Sequence, residues 1–162
     1  MNNILSIAIQ SCTDSSIAFS KFITANDTGA TGGHQSGFHI HKHSWELFFD
    51  TPGEKGINKD VFIKIKWQND FETDSRFIYY GTGTRNEYRL TRFGKGFPFL
   101  AEDNIGDLLV IAKKADRYYE AFVLSADEDI EEFFNAFGIS STETNGILPK
   151  STKLTAEERL QL

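Results

Sequence analysis

The feature that most constrains the fold is a series of short apolar stretches, each too short for a typical helix and bounded by glycine or polar residues. In the clearest one, residues 61–67, valine, isoleucine and tryptophan alternate with phenylalanine and lysine, and this period of two predicts a strand with one apolar face. Comparable stretches predict further strands over residues 17–24, 37–41, 76–80, 108–112 and 118–124, and residues 85–93 predict a strand of unusual polarity.

One long helix is well marked. Ile130, Phe133, Phe134 and Phe137 recur at helical spacing, after three acidic residues that suit a helix N-terminus and before Gly138, a suitable C-cap. A brief second helix is predicted around residues 44–49. The sequence therefore predicts a mainly β fold with a few helices, in which six or seven short strands form a barrel-like mixed sheet.

The size and the termini predict a single cytoplasmic domain. A chain of 162 residues has room for one core, which we place in residues 1–148. We expect residues 149–162, charged and without aromatics, to be a linker or the start of a further segment. Cys12, the single cysteine, excludes an internal disulfide. No signal peptide or run of about 20 apolar residues suggests export or a membrane partner.

Positive charge is concentrated in one segment of an acidic chain. The chain carries a net charge of −6, yet residues 76–96 carry a net charge of +4. Residues 1–75 carry −3 and residues 97–162 carry −7. This distribution suits a protein that meets phosphates on one face only, although an ordinary basic loop would have the same charge.

A glycine-rich polar segment, TANDTGATGGHQSG over residues 24–37, is predicted to be a loop from residue 25 to residue 36. Its glycines allow close approach to a ligand and offer backbone N–H groups to anions. The phosphate-binding motif G-x-x-x-x-G-K-[ST] is absent. The segment could cradle a nucleotide phosphate, lie against DNA, or be a flexible surface loop. Its hydrogen-bonding side chains include Asn26, Thr28, Thr31, His34 and Gln35.

The segment RNEYRLTRFGKG, residues 85–96, carries the second candidate pattern. If it begins as a strand, Arg85, Glu87 and Arg89 share one face. Arginine pairs bidentately with guanine, and glutamate accepts from the amino group of cytosine, so such a row could read a G·C pair. Arg92 and Lys95 would be free to hold phosphates. A solvent-exposed, salt-bridged strand is the alternative.

Four histidines, His34, His39, His41 and His43, lie within ten residues. A zinc site would require three of them on one strand, and no cysteine or suitably spaced carboxylate joins them, so we expect no metal. A contact from His34 or His39 to DNA fits better. No nuclease motif of Glu-x-Lys type and no nucleophile motif is present, so we expect no catalytic residues. The competing hypothesis is a small nucleotide-handling enzyme that uses the loop together with His34 and Arg85.

The two segments together resemble a known family. The sequence ANDTGATGGHQ, followed some fifty residues later by TRNEYRLTRFGKG, is similar to the N-terminal effector domain of EcoRII-type restriction endonucleases. That domain belongs to the plant B3-like DNA-binding pseudobarrels. The resemblance is confined mainly to residues 21–110. It implies an open seven-stranded barrel flanked by short helices, with an N-arm (residues 25–39) and a C-arm (residues 76–96) that clamp double-stranded DNA from the major groove at a CCWGG-type site.

The resemblance also implies which residues meet the DNA. Those predicted to contact bases are His34, Gln35, His39, Arg85, Asn86, Glu87 and Arg89. Those predicted to contact the DNA backbone are Lys21, Asn26, Thr28, Thr31, Arg76, Tyr88, Arg92 and Lys95. The chain departs from the family pattern at three positions: His39 replaces a tyrosine, Tyr88 replaces a lysine and Gly83 replaces a basic residue. These departures bear on the target sequence more than on the binding mode.

The resemblance further implies a domain that binds DNA as a monomer and is covalently attached to a nuclease domain. No cofactor is expected in this domain, and Mg²⁺ is expected only in the attached nuclease. The domain would act as an allosteric effector or as a simple target anchor, and the sequence leaves both open.

Overall fold

A computed structural model describes residues 3–29 and 37–149. Strands predominate, and short helices flank them. The α-helices are α1 (Ile4–Asp14), α2 (Ala25–Thr28) and α3 (Asp127–Phe137). The strands are β1 (Ile17–Phe22), β2 (Phe38–Ile40), β3 (Lys59–Trp67), β4 (Phe71–Tyr80), β5 (Glu87–Thr91), β6 (Leu108–Ala115), β7 (Tyr118–Leu124) and β8 (Gly146–Ile147). Short 3₁₀ helices span Lys42–Leu47, Glu102–Asn104 and Ser141–Glu143.

The strands form one curled sheet in the order β2-β5-β4-β3-β7-β6-β1-β8. Neighbouring strands are antiparallel except β3 and β7, which are parallel. The two edge strands lie close together at one end. The backbone N–H of His41, just after β2, donates to the side-chain oxygen of Asn145, just before β8, at 3.2 Å. The sheet is therefore a partly open barrel, and the predicted mainly β, barrel-like fold is confirmed.

Alternation along the strands builds two cores. Leu109 and Ile111 of β6 belong to the interior of the barrel, together with Trp67. Leu108 and Val110 of the same strand face the opposite way and pack with α1 and α3. Because both faces of β6 are buried, its sequence is continuously apolar, whereas β3, which shows one face to solvent, alternates.

The structure agrees with the sequence at α3. Its four apolar residues are buried, and Gly138 caps its C-terminus with a positive φ of 66°. No helix in residues 3–29 and 37–149 is long and apolar enough to cross a membrane.

Three sequence-based expectations differ from the structure. Helix α1 was not predicted, since its isoleucines do not distinguish a helix from a strand. The start of the predicted loop forms α2, one helical turn, because the Thr24 side chain and Asp27 cap each other's backbone N–H groups. Over the described residues the sheet has eight strands rather than six or seven, as the two-residue β8 has no periodic signal.

Candidate nucleic-acid interface

The predicted Arg–Glu–Arg row forms a real cluster in the structure. The Glu87 Oε1 atom accepts a hydrogen bond from Arg89 Nε at 2.8 Å and lies 3.5 Å from Arg85 Nη2. Glu87 and Arg89 share one face of β5, as alternation predicts. Arg85 precedes β5, which begins at Glu87, so it reaches the cluster from the connecting turn and not from the strand.

A tyrosine ring holds Arg85 in this position. The guanidinium carbon of Arg85 lies 3.6 Å from the centroid of the Tyr80 ring. Tyr80 is opposite Glu87 in the pairing of β4 with β5, so the two residues are on the same face of the sheet. Since about a third of the Arg85 side chain remains exposed (34%), the guanidinium is both oriented and accessible to a ligand.

Charge fixes the ionised state of the central carboxylate. Burial acts to raise the pKa of Glu87, but the hydrogen bond and charge of Arg89, with the charge of Arg85, outweigh it and hold the pKa below its ordinary value. Glu87 is therefore an acceptor at neutral pH, placed between two donors.

Arg89 joins this cluster to the end of the glycine-rich segment. Its side chain is only 7% exposed, and Nη1 donates to the Gly37 carbonyl oxygen at 3.2 Å. In the pairing of β2 with β5, Arg89 lies opposite His39. The orientation of the cluster thus depends on where the glycine-rich segment re-enters the sheet.

The other end of the glycine-rich segment is anchored by a buried ion pair. Lys21 Nζ lies 2.6 Å from Asp27 Oδ2, and the two side chains are 2% and 0% exposed. Asp27 also accepts from the backbone N–H groups of Thr24 and His39, at 2.9 and 2.8 Å. One carboxylate therefore ties together the residues on either side of the segment 30–36.

Two predicted phosphate contacts do not agree with this placement. Burial lowers the pKa of Lys21 although Asp27 opposes the shift, and its ammonium also donates to the His39 carbonyl oxygen. Tyr88 is 4% exposed among the core rings, and its hydroxyl accepts from the Gly53 N–H. Both side chains are committed to the fold, since alternation puts Tyr88 on the inner face of β5 and tertiary packing covers Lys21.

Comparison with known proteins assigns the family. The family model described as "Restriction endonuclease EcoRII, N-terminal" matches residues 12–157. The chain belongs to the EcoRII N-terminal domain family. The matched residues include both the glycine-rich segment, residues 24–37, and the segment of residues 85–96.

A curated relative supports the assignment. The chain is similar to the type II restriction enzyme EcoRII of Escherichia coli, with 35% identity over 103 residues, which are 59% of this chain. The matched region is 26% of that enzyme, so the chain spans far less than the length of its relative.

A solved structure shows the same fold. The B3 domain of the UbaLAI restriction endonuclease, crystallised with cognate DNA, is similar with a TM-score of 0.54 at 18% identity, over 91% of this chain and 98% of that one. The Arabidopsis FUS3–DNA complex gives a TM-score of 0.44 at 14% identity, over 68% of this chain and 99% of that one. The similarity to the UbaLAI B3 domain confirms the predicted B3-like pseudobarrel as the fold.

The remaining predicted base contacts of this EcoRII N-terminal family member are placed as follows. His39 is on β2, and burial, with the charges of Lys21 and Arg89, lowers its pKa. Asn86 is exposed, and its side-chain oxygen accepts from the Tyr79 hydroxyl at 2.7 Å. His34 and Gln35 lie outside the described residues. All four, like the predicted base contacts of Arg85, Glu87 and Arg89, stay predictions.

The remaining predicted backbone contacts surround the cluster. Lys95 and Arg92 are exposed in the turn after β5, and Asn26 is exposed on α2. Arg76 is on the same face of the sheet, paired with Asp60 at 2.7 Å. Thr28 donates to the Ala25 carbonyl at 3.0 Å. Thr31 lies outside the described residues.

The three described histidines, His39, His41 and His43, do not share a strand. β2 ends at Ile40, and the next 3₁₀ helix begins at Lys42, where His41 Nδ1 accepts from the His43 N–H. Within residues 3–29 and 37–149, no group of three or more His, Cys, Asp or Glu side chains could hold a metal ion. Cys12 is buried, and burial raises its pKa to about 12, so its thiol is not an activated nucleophile.

Sequence reasoning missed two residues of the site. Asp27 lies in a polar segment of the sequence, and nothing in that segment distinguishes a buried acid from an exposed one. Its spacing of three from Thr24 is the only local signal, because that spacing favours a capping box. No local pattern identifies Tyr80, because its place beside the cluster follows from the register in which β4 pairs with β5.

Proposed function

We propose that this chain is a sequence-specific double-stranded DNA-binding domain, the target-recognition or effector domain of a type II restriction endonuclease. The observation that carries the proposal is the cluster in which Glu87 sits between Arg85 and Arg89 on an outer sheet face. A surface salt bridge alone would have little value. Here the cluster is backed by an aromatic ring and linked to the glycine-rich segment.

The chemistry of the cluster matches one G·C pair. Arg85 offers several N–H donors for guanine O6 and N7, and Glu87 offers an acceptor for the cytosine N4 amino group. Both groups are oriented before DNA arrives, which limits the entropy lost on binding. A site with outer G·C pairs, such as CCWGG, fits this arrangement.

Two arms reach the major groove in this proposal. The C-arm, residues 76–96, carries the cluster, and the N-arm, residues 25–39, reads the other half of the site through His34, Gln35 and His39. Asn86 supplies a further base contact. Phosphates are held by Asn26, Thr28, Thr31, Arg76, Arg92 and Lys95. Lys21 instead positions the N-arm through Asp27.

The comparisons support this assignment. The curated relative is a type II restriction enzyme, and the B3 domain of similar fold was crystallised with cognate DNA. We further propose that the domain binds DNA as a monomer and that a nuclease domain, which would use Mg²⁺, is attached beyond the linker that begins near residue 149.

Selection from a random pool tests the proposal without assuming the target. Duplexes with a randomised centre are incubated with the chain at moderate salt, and the bound fraction is amplified and sequenced over several rounds. We expect enrichment of one short site with G·C pairs at both ends. A bound fraction as diverse as the starting pool would contradict sequence-specific binding.

Lys95 is expected to contribute affinity without specificity. It is exposed between Gly94 and Gly96, which both have positive φ (82° and 81°), in the turn after β5. Lys95→Ala should weaken all duplexes alike and reduce the slope of log affinity against log salt by about 0.9, the value for one lost phosphate contact. Binding titrations at several salt concentrations measure this. Lys113→Ala, on β6 at the far side of the sheet, is the control and should leave the slope unchanged. A loss confined to one target sequence would contradict the assignment.

A further inference from the structure

An exposed phenylalanine lies on the same sheet face as the Arg–Glu–Arg cluster. Phe62 of β3 is opposite Arg76 of β4, and Arg76 is opposite Thr91 of β5. Since paired residues point to the same side and Thr91 shares its face with Glu87 and Arg89, all of these side chains line one outer surface. Phe62 is 56% exposed, whereas the neighbouring Ile63 is buried.

A strained arginine covers this ring. The guanidinium of Arg92 lies 5.4 Å from the centroid of Phe62, within the range of a cation–π contact. Arg92 has a positive φ of 67°, unfavourable for a side chain of its size, and the buried Ser75 hydroxyl holds the turn by donating to the Arg92 carbonyl at 2.8 Å. Arg92 forms no salt bridge with an acidic side chain of residues 3–29 and 37–149.

We propose that Phe62 and Arg92 form a contact site for one sugar–phosphate unit of duplex DNA outside the base pairs that are read. The guanidinium binds the phosphate and the ring packs against the adjacent deoxyribose. This inference rests on the proposed function and extends it to the flank of the target. Phe62 is two strands from Glu87, roughly 10 Å, and four residues along the strand direction, roughly 13 Å, so the two are about 16 Å apart. That distance corresponds to about five nucleotides along one DNA strand.

The charge of the same face shows where the contact surface ends. One step further along the β3–β4 hairpin, Lys64 pairs with Asp74 at 3.0 Å and with Glu72 at 3.8 Å. Lys66 of β3 shares this face and lies opposite Glu72, so two ammonium groups meet two carboxylates and this end of the face carries no net positive charge. The Phe62–Arg92 site therefore lies where the cationic part of the face ends.

The test uses two duplexes with the same CCWGG site, one with long flanks and one trimmed close to the site. Binding of wild type, Phe62→Ala, Arg92→Ala and the double variant is titrated at moderate salt. Phe62→Ala should weaken binding to the long duplex by about three- to tenfold and leave the trimmed duplex unaffected. The double variant should lose less than the two single losses combined, because the groups act as a unit. Discrimination against a scrambled long duplex should not change.

Ile57→Ala is the matched control, since it removes a side chain of nearly equal exposure (58%). An unchanged long-duplex affinity in Phe62→Ala, an equal loss on both duplexes, or the same loss in Ile57→Ala would overturn this inference and leave the proposed function intact. Failure of the wild type itself to distinguish the CCWGG duplex from the scrambled one would overturn the proposed function, and the inference with it.

Discussion

An Arg85→Ala variant is expected to bind CCWGG duplexes about 5- to 150-fold more weakly, a loss of about 1–3 kcal/mol, and to lose discrimination at one base pair. Arg85 is held on the Tyr80 ring beside Glu87 and remains a third exposed, so the change removes a base contact without opening the core. Titrations against duplexes that each carry one substituted base pair identify the position at which discrimination is lost.

Arg85→Lys separates base reading from simple charge. Lysine keeps the positive charge but cannot form the planar bidentate pair with guanine or rest flat on the ring. We expect it to retain affinity for scrambled duplexes and to lose most of the discrimination. If Arg85→Ala weakens every duplex equally, or if Arg85→Lys discriminates like the wild type, then Arg85 contacts a phosphate and the assignment is wrong.

An Asp27→Asn variant is expected to lower the free energy of unfolding by about 3–5 kcal/mol, because it leaves the Lys21 ammonium buried without its counter-ion. The charge of the carboxylate that accepts from the Thr24 and His39 N–H groups is also lost. For a chain of this size each kcal/mol corresponds to roughly 2–4 °C, so the melting temperature should fall by about 10 °C. Thermal and urea unfolding monitored by circular dichroism measure the change.

A double variant distinguishes the ion pair from a general packing defect. In Lys21→Met/Asp27→Asn no charge is left buried, so the double variant should be more stable than Asp27→Asn alone. Asp14→Asn, an exposed acid at the end of α1, is the control and should change the stability by less than about 0.5 kcal/mol. An Asp27→Asn protein as stable as the wild type would contradict the anchoring role.

The parts of the fold that were predictable are those with a local signal. β3 and α3 follow from periodicities of two and 3.6, and the shared face of Glu87 and Arg89 follows from alternation alone. Gly138 at the end of α3 was recognisable because this type of helix cap favours glycine, which adopts the left-handed backbone conformation without strain. These features depend on neighbours within one element.

The parts that were not predictable depend on contacts between elements. Lys21 resembles an exposed cation in the sequence, and its burial depends on Asp27 and the β2 backbone, brought together by the curled sheet. The position of Arg85, in the turn before β5, depends on Tyr80 at the end of β4. His34 and Gln35 belong to residues 30–36, outside the described part, and their base contacts are predictions from the sequence.

A gel-shift titration shows whether this chain recognises a specific duplex. The chain is titrated at moderate salt against a labelled CCWGG duplex and against a scrambled duplex of the same length and composition. We expect a discrete complex with the CCWGG duplex at concentrations at least about a thousandfold below those needed for the scrambled one. Equal affinity for the two duplexes would contradict it.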